Sequence, residues 1–156
     1  MFLAEVLAHS PGIRFEPRAF FGSELPFPFE VNAAAGTLRL LDEAGIPSQH
    51  ASNAGLPGCK RGFVTDLARA WIAAQPAAAR DRMTIYSCGP TPMLRAVQTV
   101  AGEFAIPSQL CLEEFMACAV GGCAGCVVPV LVDGQRQMKR VCVDGPVFDG
   151  AAVYAA

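Results

Sequence analysis

Charge is scarce in this chain. Charged residues make up 17% of its 156 positions, against about a quarter in ordinary globular proteins, and lysine occurs only at Lys60 and Lys139. The formal net charge is -2, so a nucleic-acid partner has no basic face to bind and that class of function is excluded. Histidine occurs twice, as His9 and His50. Internal repeats and low-complexity linkers are absent. Apolar residues, by contrast, make up 53%, which excludes a disordered chain. So apolar a surface is expected to be covered in part by something else. The length corresponds to one domain, or one with a small appendage.

A leader and a membrane span are also missing from the expectations. Met1-Phe2-Leu3-Ala4-Glu5 has no basic residue and places an acid inside its apolar stretch, unlike a secretory signal. Seven cysteines, an odd number without such a signal, argue against a disulfide framework and for a reducing, cytoplasmic setting. In that setting clustered cysteines serve metal or redox chemistry. Residues 115–132 form an uncharged run of membrane-spanning length. The run contains Gly121, Gly122, Gly125 and Pro129 and ends in β-branched residues, so it predicts a loop followed by a strand.

Along the chain, apolar periodicity predicts a helix over residues 2–9, a strand over 13–21 and a loop over 23–29. A short helix over 37–44 closes at Gly45, and a strand over 46–51 is followed by a Gly-rich loop to Gly62. A clear helix spans 63–74, and Ala-rich residues 73–79 end it. Then come a buried strand over 83–88, a helix over 91–101 and a strand over 108–112. Strands alternating with helices indicate an α/β layer with parallel strands. The pattern turns to Gly and Cys near Glu113.

The informative motif is Cys118-Ala-Val-Gly-Gly-Cys123-Ala-Gly-Cys126, followed after fifteen intervening residues by Cys142. The spacing C-x4-C-x2-C…C is that of plant-type [2Fe-2S] proteins. Four thiolates must converge on two irons, and glycines let the backbone curl and aim N–H groups at sulfur. Val127–Val132 reads as a strand, Asp133-Gly134 as a type I′ turn, and residues 135–141 as the returning strand. That register brings Cys142 back across from Gly125. Pro129 confines the outgoing strand to an edge or a bulge. Structural zinc is the alternative, although zinc sites usually use two Cys-x2-4-Cys knuckles and Cys142 stands alone. Unligated thiols are the other.

Weaker signals accompany this one. Tyr86-Ser87-Cys88-Gly89-Pro90-Thr91-Pro92-Met93 reads as strand, turn and helix, with Thr91 as N-cap and Pro92 at the first helical position. Dinucleotides bind at such helix starts, although most such turns are merely structural. Cys59, Cys88 and Cys111 are expected to be small buried residues. Lys60 or Arg61 could touch a phosphate, or belong to a solvated loop. Arg136, Lys139 and Arg140 could face a partner, or an ordinary exposed hairpin. Glu113 and Glu114 have no evident acid–base partner.

With these motifs assembled, the chain resembles the electron-transfer subunit of the two-subunit, NAD-dependent dihydroorotate dehydrogenase, within the ferredoxin reductase-like proteins. The resemblance runs from about residue 1 to 153. It is most specific in Leu112-Glu113-Glu114-Phe115-Met116-Ala117-Cys118 through Cys126 and in Arg140-Val141-Cys142-Val143-Asp144-Gly145-Pro146-Val147-Phe148-Asp149. Supporting stretches are Lys60-Arg61-Gly62-Phe63-Val64-Thr65-Asp66 and Cys88-Gly89-Pro90-Thr91-Pro92-Met93-Leu94.

The resemblance implies residues 1–112 as a partial NAD-binding domain and residues 113–156 as a [2Fe-2S] domain. It implies a doubly wound parallel sheet without its first strand, closed by a small loop and β-hairpin. Cys118, Cys123, Cys126 and Cys142 would be the cluster ligands, and Cys88, Gly89 and Pro90 would lie near the nicotinamide. Electrons would pass from the FMN of a dihydroorotate-oxidising subunit through the cluster to FAD and NAD⁺, in pyrimidine biosynthesis. Two departures stand out. Ala119 occupies a position that is usually glycine, and the flavin barrel and glycine-rich first strand have no counterpart in residues 1–156. FAD binding by these residues alone is therefore not expected, and the strand edges left open are expected to promote aggregation. Two other readings are the flavin and iron–sulfur subunit of a related transhydrogenase or hydrogenase, and a metal-stabilised interaction module without a redox role.

Overall fold

Short parallel strands joined through helices are what the apolar segments build. The structure is a computed structural model and describes residues 15–154. The helix expected over residues 2–9, the first residues of the strand expected over 13–21, and His9 lie outside that range. The chain divides into two compact units, one ending at Trp71 and the other beginning at Ile72. Among the described residues no helix is long and apolar enough to cross a membrane.

In the first unit, β1 (Ala19–Gly22) pairs in parallel with β4 (Ser48–Ala51), setting Phe21 beside His50. Between them lie β2 (Val31–Asn32), β3 (Thr37–Leu38) and α1 (Arg39–Glu43). The β2–β3 hairpin was not legible in the sequence, because two-residue strands carry no periodicity. Its turn is held by Asn32 Oδ1, which accepts from Ala35 N at 3.2 Å. Gly45 closes α1 as expected. It adopts φ +70° and donates to Asp42 O at 3.0 Å, while Ile46 N donates to Leu41 O at 2.8 Å. This double bond pattern is accompanied, as usual, by an apolar contact across the helix end: Leu41 and Ile46 are both buried in one cluster with Leu38. Helix α2 (Val64–Ala73) carries Trp71, whose ring lies 5.9 Å from Phe20 and 5.0 Å from the Arg18 guanidinium, a cation–π contact.

In the second unit, the short α3 (Ala77–Arg80) follows Pro76. Strand β5 (Ile85–Cys88) runs parallel to β6 (Ser108–Cys111), joined by α4 (Thr91–Glu103). Strand β9 (Val147–Asp149) adds antiparallel to β6, giving the order β5-β6-β9. Strand β5 is not buried as expected. Its residues alternate, and Tyr86 is 50% exposed, because β5 is the edge of this sheet among the described residues. Helix α4 is capped by Pro90, not Thr91. Thr91 and Pro92 thus fall in the first turn, where a missing N–H costs little because those amides have no intrahelical acceptor. Gly150 lies so close to β6 that a Cβ there would stand 2.0 Å from Ser108 Oγ, and Gln98 on α4 binds the carbonyls of Gly150 and Val153.

The remaining pair is the expected hairpin, β7 (Val127–Val132) and β8 (Gln135–Arg140), from Val127 opposite Arg140 to Val132 opposite Gln135. Asp133 (φ +52°) and Gly134 (φ +74°) both take the left-handed conformation of a type I′ turn. Leu131 N donates away from β8, to Ala152 O at 2.8 Å. Pro129 lies two residues earlier on that outer side, so its missing donor breaks no bond to β8. Alternate residues Val128 and Val130 enter the core with Leu94, Leu110, Leu112, Cys126, Val141 and Val153.

Among the described residues of the first unit, buried nitrogens without a hydrogen-bond partner occur on Arg18 and on His50. His50 is 1% exposed, flanked by Phe21 and Phe27, and among the described residues neither ring nitrogen has a partner in strict hydrogen-bond geometry. Burial holds its pKa below the ordinary 6.5, with the Gly36 backbone and the Asp42 charge opposing. The unfolded chain therefore takes up this proton first as pH falls. The stability due to neutral His50 is present above about pH 6.5 and is lost as pH drops through the folded pKa. The urea midpoint should decline between about pH 7.5 and about pH 5.5, and His50→Leu should flatten that decline. Equal slopes in both proteins would contradict it.

Candidate metal centre

The four spaced cysteines come from two places. Cys118, Cys123 and Cys126 lie on the irregular segment between β6 and β7. Cys142 lies in α5 (Val141–Asp144), a helical turn directly after β8. Cys126 is buried in the apolar core, Cys118 and Cys142 are half-buried, and Cys123 is exposed. The hairpin register extends one step past β8, where Val141 N donates to Cys126 O at 3.0 Å. The chain then leaves the ladder, so Cys142 meets Cys126 and not Gly125 as expected: Cys142 N donates to Cys126 Sγ at 3.4 Å. The departure is fixed by Asp144, whose carboxylate accepts from Arg140 N at 2.7 Å.

The thiols form two pairs. Cys123 N donates to Cys118 Sγ at 3.4 Å, matching the Cys126–Cys142 contact, and Gly125 N donates to Cys123 Sγ at 3.4 Å. The backbone curl that aims these amides uses positive φ at Ala119 (+54°), Gly121 (+78°) and Ala124 (+55°). Ala119, where the resembling proteins usually have glycine, thus occupies a conformation that favours glycine. Among the described residues no three potential ligand side chains already converge as a metal-binding group. The arrangement is two plus two.

The electrostatics follow from the amides. Hydrogen bonds from the backbone of Cys123, then Val120, bring the Cys118 thiol down to about 6. The amide of Cys142 leads in lowering Cys126. Cys142 is raised, chiefly because it shares a proton with Cys126. Sulfurs surrounded by N–H donors and few counter-charges suit a group that carries negative charge on sulfur. This donor set fits a binuclear thiolate-bound cluster, with one pair of thiols for each metal.

Arg140 braces the loop, a role the sequence reading missed. Its Nη1 donates to Gly121 O at 3.3 Å and its Nε lies 3.5 Å from Asp144. Sequence carried one signal for it: the strand register puts residue 140 at the open end of the hairpin. Glu113, for which the sequence showed no evident acid–base partner, accepts from Cys88 Sγ at 3.5 Å. Cys88 itself is exposed, and Cys59 and Cys111 are half-buried, so none of the three is the buried small residue expected. Cys88-Gly89-Pro90 runs from β5 into α4, with Gly89 at φ +153°. Lys60 and Arg61 have exposed side chains, on a loop tied to β4 by the Ser52 N to Lys60 O and Lys60 N to His50 O bonds, both 2.9 Å.

Comparison with known proteins bears out the resemblance. Residues 113–154 match the family described as the iron-sulfur cluster binding domain of dihydroorotate dehydrogenase B. The chain is 48% identical over 64 residues to the electron transfer subunit of dihydroorotate dehydrogenase B (NAD(+)) from Caldanaerobacter subterraneus subsp. tengcongensis, covering 41% of this chain and 26% of the relative. It is 43% identical over 88 residues to the subunit of the same name from Listeria welshimeri, covering 56% and 31%. The matches thus span under a third of those relatives. Among solved structures, a chain of the NADH-dependent reduced ferredoxin-NADP oxidoreductase, studied for flavin-based electron bifurcation, is similar at 30% identity and a TM-score of 0.54, covering 75% of this chain and 38% of its own.

Gly121 and Gly122 separate geometry from composition. A Cβ on Gly121 would stand 2.8 Å from Val143 Cγ2 and 3.1 Å from Arg140 Nη1, in a left-handed conformation, whereas Gly122 has nothing within 4 Å. Gly121→Ala should cut the iron retained per chain at least severalfold, and Gly122→Ala should leave it near wild type. Equal iron contents in the two variants would show that the loop does not hold the site in this shape.

Proposed function

We propose that this chain holds a [2Fe-2S] cluster on Cys118, Cys123, Cys126 and Cys142 and relays electrons in the NAD-dependent oxidation of dihydroorotate. Its partner would be a separate FMN-containing catalytic subunit. The observation that carries the reading is the two-plus-two set of thiols joined by backbone N–H···S bonds, with Cys142 returned by the hairpin. Bound there, such a cluster supplies one-electron transfer. Cys118 with Cys123 would hold one iron and Cys126 with Cys142 the other. The amides of Cys123, Gly125 and Cys142 would offset charge on sulfur, and Arg140 would keep the loop on α5. Four thiols in two pairs favour this over a single structural zinc.

The nucleotide end is assigned on the same terms. Cys88-Gly89-Pro90 opens α4 at the end of a parallel strand, a place where a helix start can meet an anionic or polar cofactor. The functional boundary would fall between residues 112 and 113, where the iron–sulfur family match begins. A doubly wound sheet is supported within each unit by a parallel pair, β1 with β4 in one and β5 with β6 in the other. FAD would need residues beyond these elements, and NAD would meet only part of its site here. A reducing cytoplasm would keep the thiols available.

A second reading, the flavin and iron–sulfur subunit of a different reductase, is favoured by one observation. The similar oxidoreductase covers more of this chain than either curated relative described above. The catalytic protein that co-purifies separates the two, since only the first reading requires a dihydroorotate-oxidising partner.

Ligation is tested by single Ser replacements of Cys118, Cys123, Cys126 and Cys142, each of which should lose most of the bound iron and the visible absorption. Cys59→Ser and Cys111→Ser should retain both. A Cys142→Ser protein with full iron and an unchanged spectrum would remove the fourth ligand. Docking is tested at the apolar rim, where Phe115 and Val120 are 83% and 80% exposed beside exposed Met116 and half-buried Val127. Such area is worth about 25 cal/mol per Å² when covered. Phe115→Asp and Val120→Asp should weaken association with the FMN-bearing subunit several-fold while leaving the spectrum intact. Unchanged co-purification of both would reassign that surface.

A further inference from the structure

Three cysteines stand apart from the four-thiol group, and the sheet brings two of them, Cys88 and Cys111, together. Cys88 ends β5, Cys111 ends β6, and the two are direct partners in the parallel register. Alternation along both strands sends their side chains to one face. Tyr86 and Cys88 are the exposed residues of β5, and Gln109 is exposed between buried Ser108 and Leu110. Neighbouring strands lie about 4.8 Å apart, inside the range of about 4.4–6.8 Å between Cα atoms joined by a disulfide. Cys111 is among the neighbours that perturb the Cys88 thiol, and Glu113 Oε1 accepts from Cys88 Sγ at 3.5 Å. Cys88 is exposed and Cys111 half-buried, so a small oxidant can reach the pair.

We propose that Cys88 and Cys111 are a redox pair that closes into a reversible disulfide, clamping the Cys-Gly-Pro turn to β6. The oxidant is a low-molecular-weight disulfide, RSSR. The Cys88 sulfur attacks one sulfur of RSSR as its proton passes to Glu113. The RSSR bond breaks, and the RS⁻ released takes that proton from Glu113 and leaves as the first RSH. The Cys111 sulfur then attacks the mixed disulfide at Cys88, expelling the second RSH. One protein S–S bond has formed, one RSSR bond has broken, and two hydrogens and two electrons have moved from the protein to two RSH. Thiol in excess runs the sequence backwards.

The surroundings set the character of the pair. Desolvation first, then Cys111 and Glu113, push the Cys88 thiol up to about 11. Exchange is therefore slow at neutral pH, where little thiolate is present. For the same reason the reduced pair has no stabilised thiolate of the kind that makes a disulfide strongly oxidising, so the bond persists once closed. Closure also removes the Cys88 thiol from Glu113. If the turn meets the nicotinamide, as the proposed function has it, closure would alter that site; this consequence alone rests on that reading.

The test uses the full chain, with oxidised glutathione at mildly alkaline pH, alkylation with iodoacetamide, and cleavage by trypsin and Glu-C. Cleavage after Arg82, Arg95, Glu103 and Glu113 isolates the two cysteines on peptides 83–95 and 104–113. The expected result is that these peptides are joined in more than half of the chains and separate on reduction. Cys111→Ser under the same treatment should instead carry glutathione on Cys88. Glutathione on both cysteines without a link, alkylation of both, or linkage of Cys88 to Cys118, Cys123, Cys126 or Cys142 would each overturn the proposal. The readout needs neither bound iron nor activity, so its failure leaves the cluster assignment standing, and a chain without iron could still give the linked peptides.

Discussion

The register of β7 against β8 is the constraint on which the thiol group depends. Side chains alternate along a strand, so a slip of one residue would turn Val128 and Val130 out of the core. It would also separate Val141 from the Cys126 carbonyl. Both ends of the hairpin resist that slip. At the closed end, Asp133 and Gly134 supply the left-handed pair a two-residue turn demands. At the open end, Cys126 and Val141 are buried in the same cluster as Val128 and Val130. A thiol that reads in sequence as remote is thus set by apolar burial and turn chemistry, forces with no connection to metal. The Asp144 carboxylate then takes the Arg140 amide and turns the chain off the ladder within one residue.

The rest of the loop is held differently. Between Leu112 and Cys126 the backbone is irregular, and Ala119 and Ala124 adopt φ values that cost L-residues on the order of 1–2 kcal/mol each. Little apolar packing offsets this, since Phe115 and Val120 face outward. What offsets it locally is a set of polar contacts: amides on sulfur and the Arg140 guanidinium on the Gly121 carbonyl. Such a segment has its geometry coupled to whatever its thiols bind, because ligation free energy and folding free energy are then one quantity. Cys126, fixed in the core, is the anchor from which that coupling runs.

Which features could be read from sequence follows from how local their causes are. The hairpin, its turn and its register were legible, since Asp133-Gly134 and the alternation of Val128 and Val130 act over a few residues. The four cysteines stand out in sequence because their spacing is itself a signal, while their arrangement as two pairs comes from the backbone N–H···S contacts. The closing of α1 at Gly45 was legible for the same reason. The Cys88–Glu113 contact was not, because it needs the parallel register of β5 and β6, which no local pattern states. The exposure of Cys88 was missed likewise: burial of a strand depends on whether it lies at an edge, and β5 does so among the described residues. The β2–β3 hairpin is too short for periodicity, and the Pro90 cap of α4 offers no side-chain donor or acceptor to recognise.

Strand β6 ties the two chemically distinct regions together. Its last residue, Cys111, is the register partner of Cys88 beside the Cys-Gly-Pro turn, and seven residues further along the chain lies Cys118. Seven residues, even fully extended, span at most about 25 Å, so covalent structure alone bounds the distance between the turn and the thiol group. The intervening residues shorten that reach. Leu112 is buried in the core with Cys126 and its amide donates to Pro146 O at 2.9 Å, while Glu113 folds back to Cys88. Leu112 is thus fixed against the segment that follows Cys142, and Glu113 against the strand that leads into the turn. Consecutive residues of one chain hold both regions, so displacing either pulls on the backbone that positions the other.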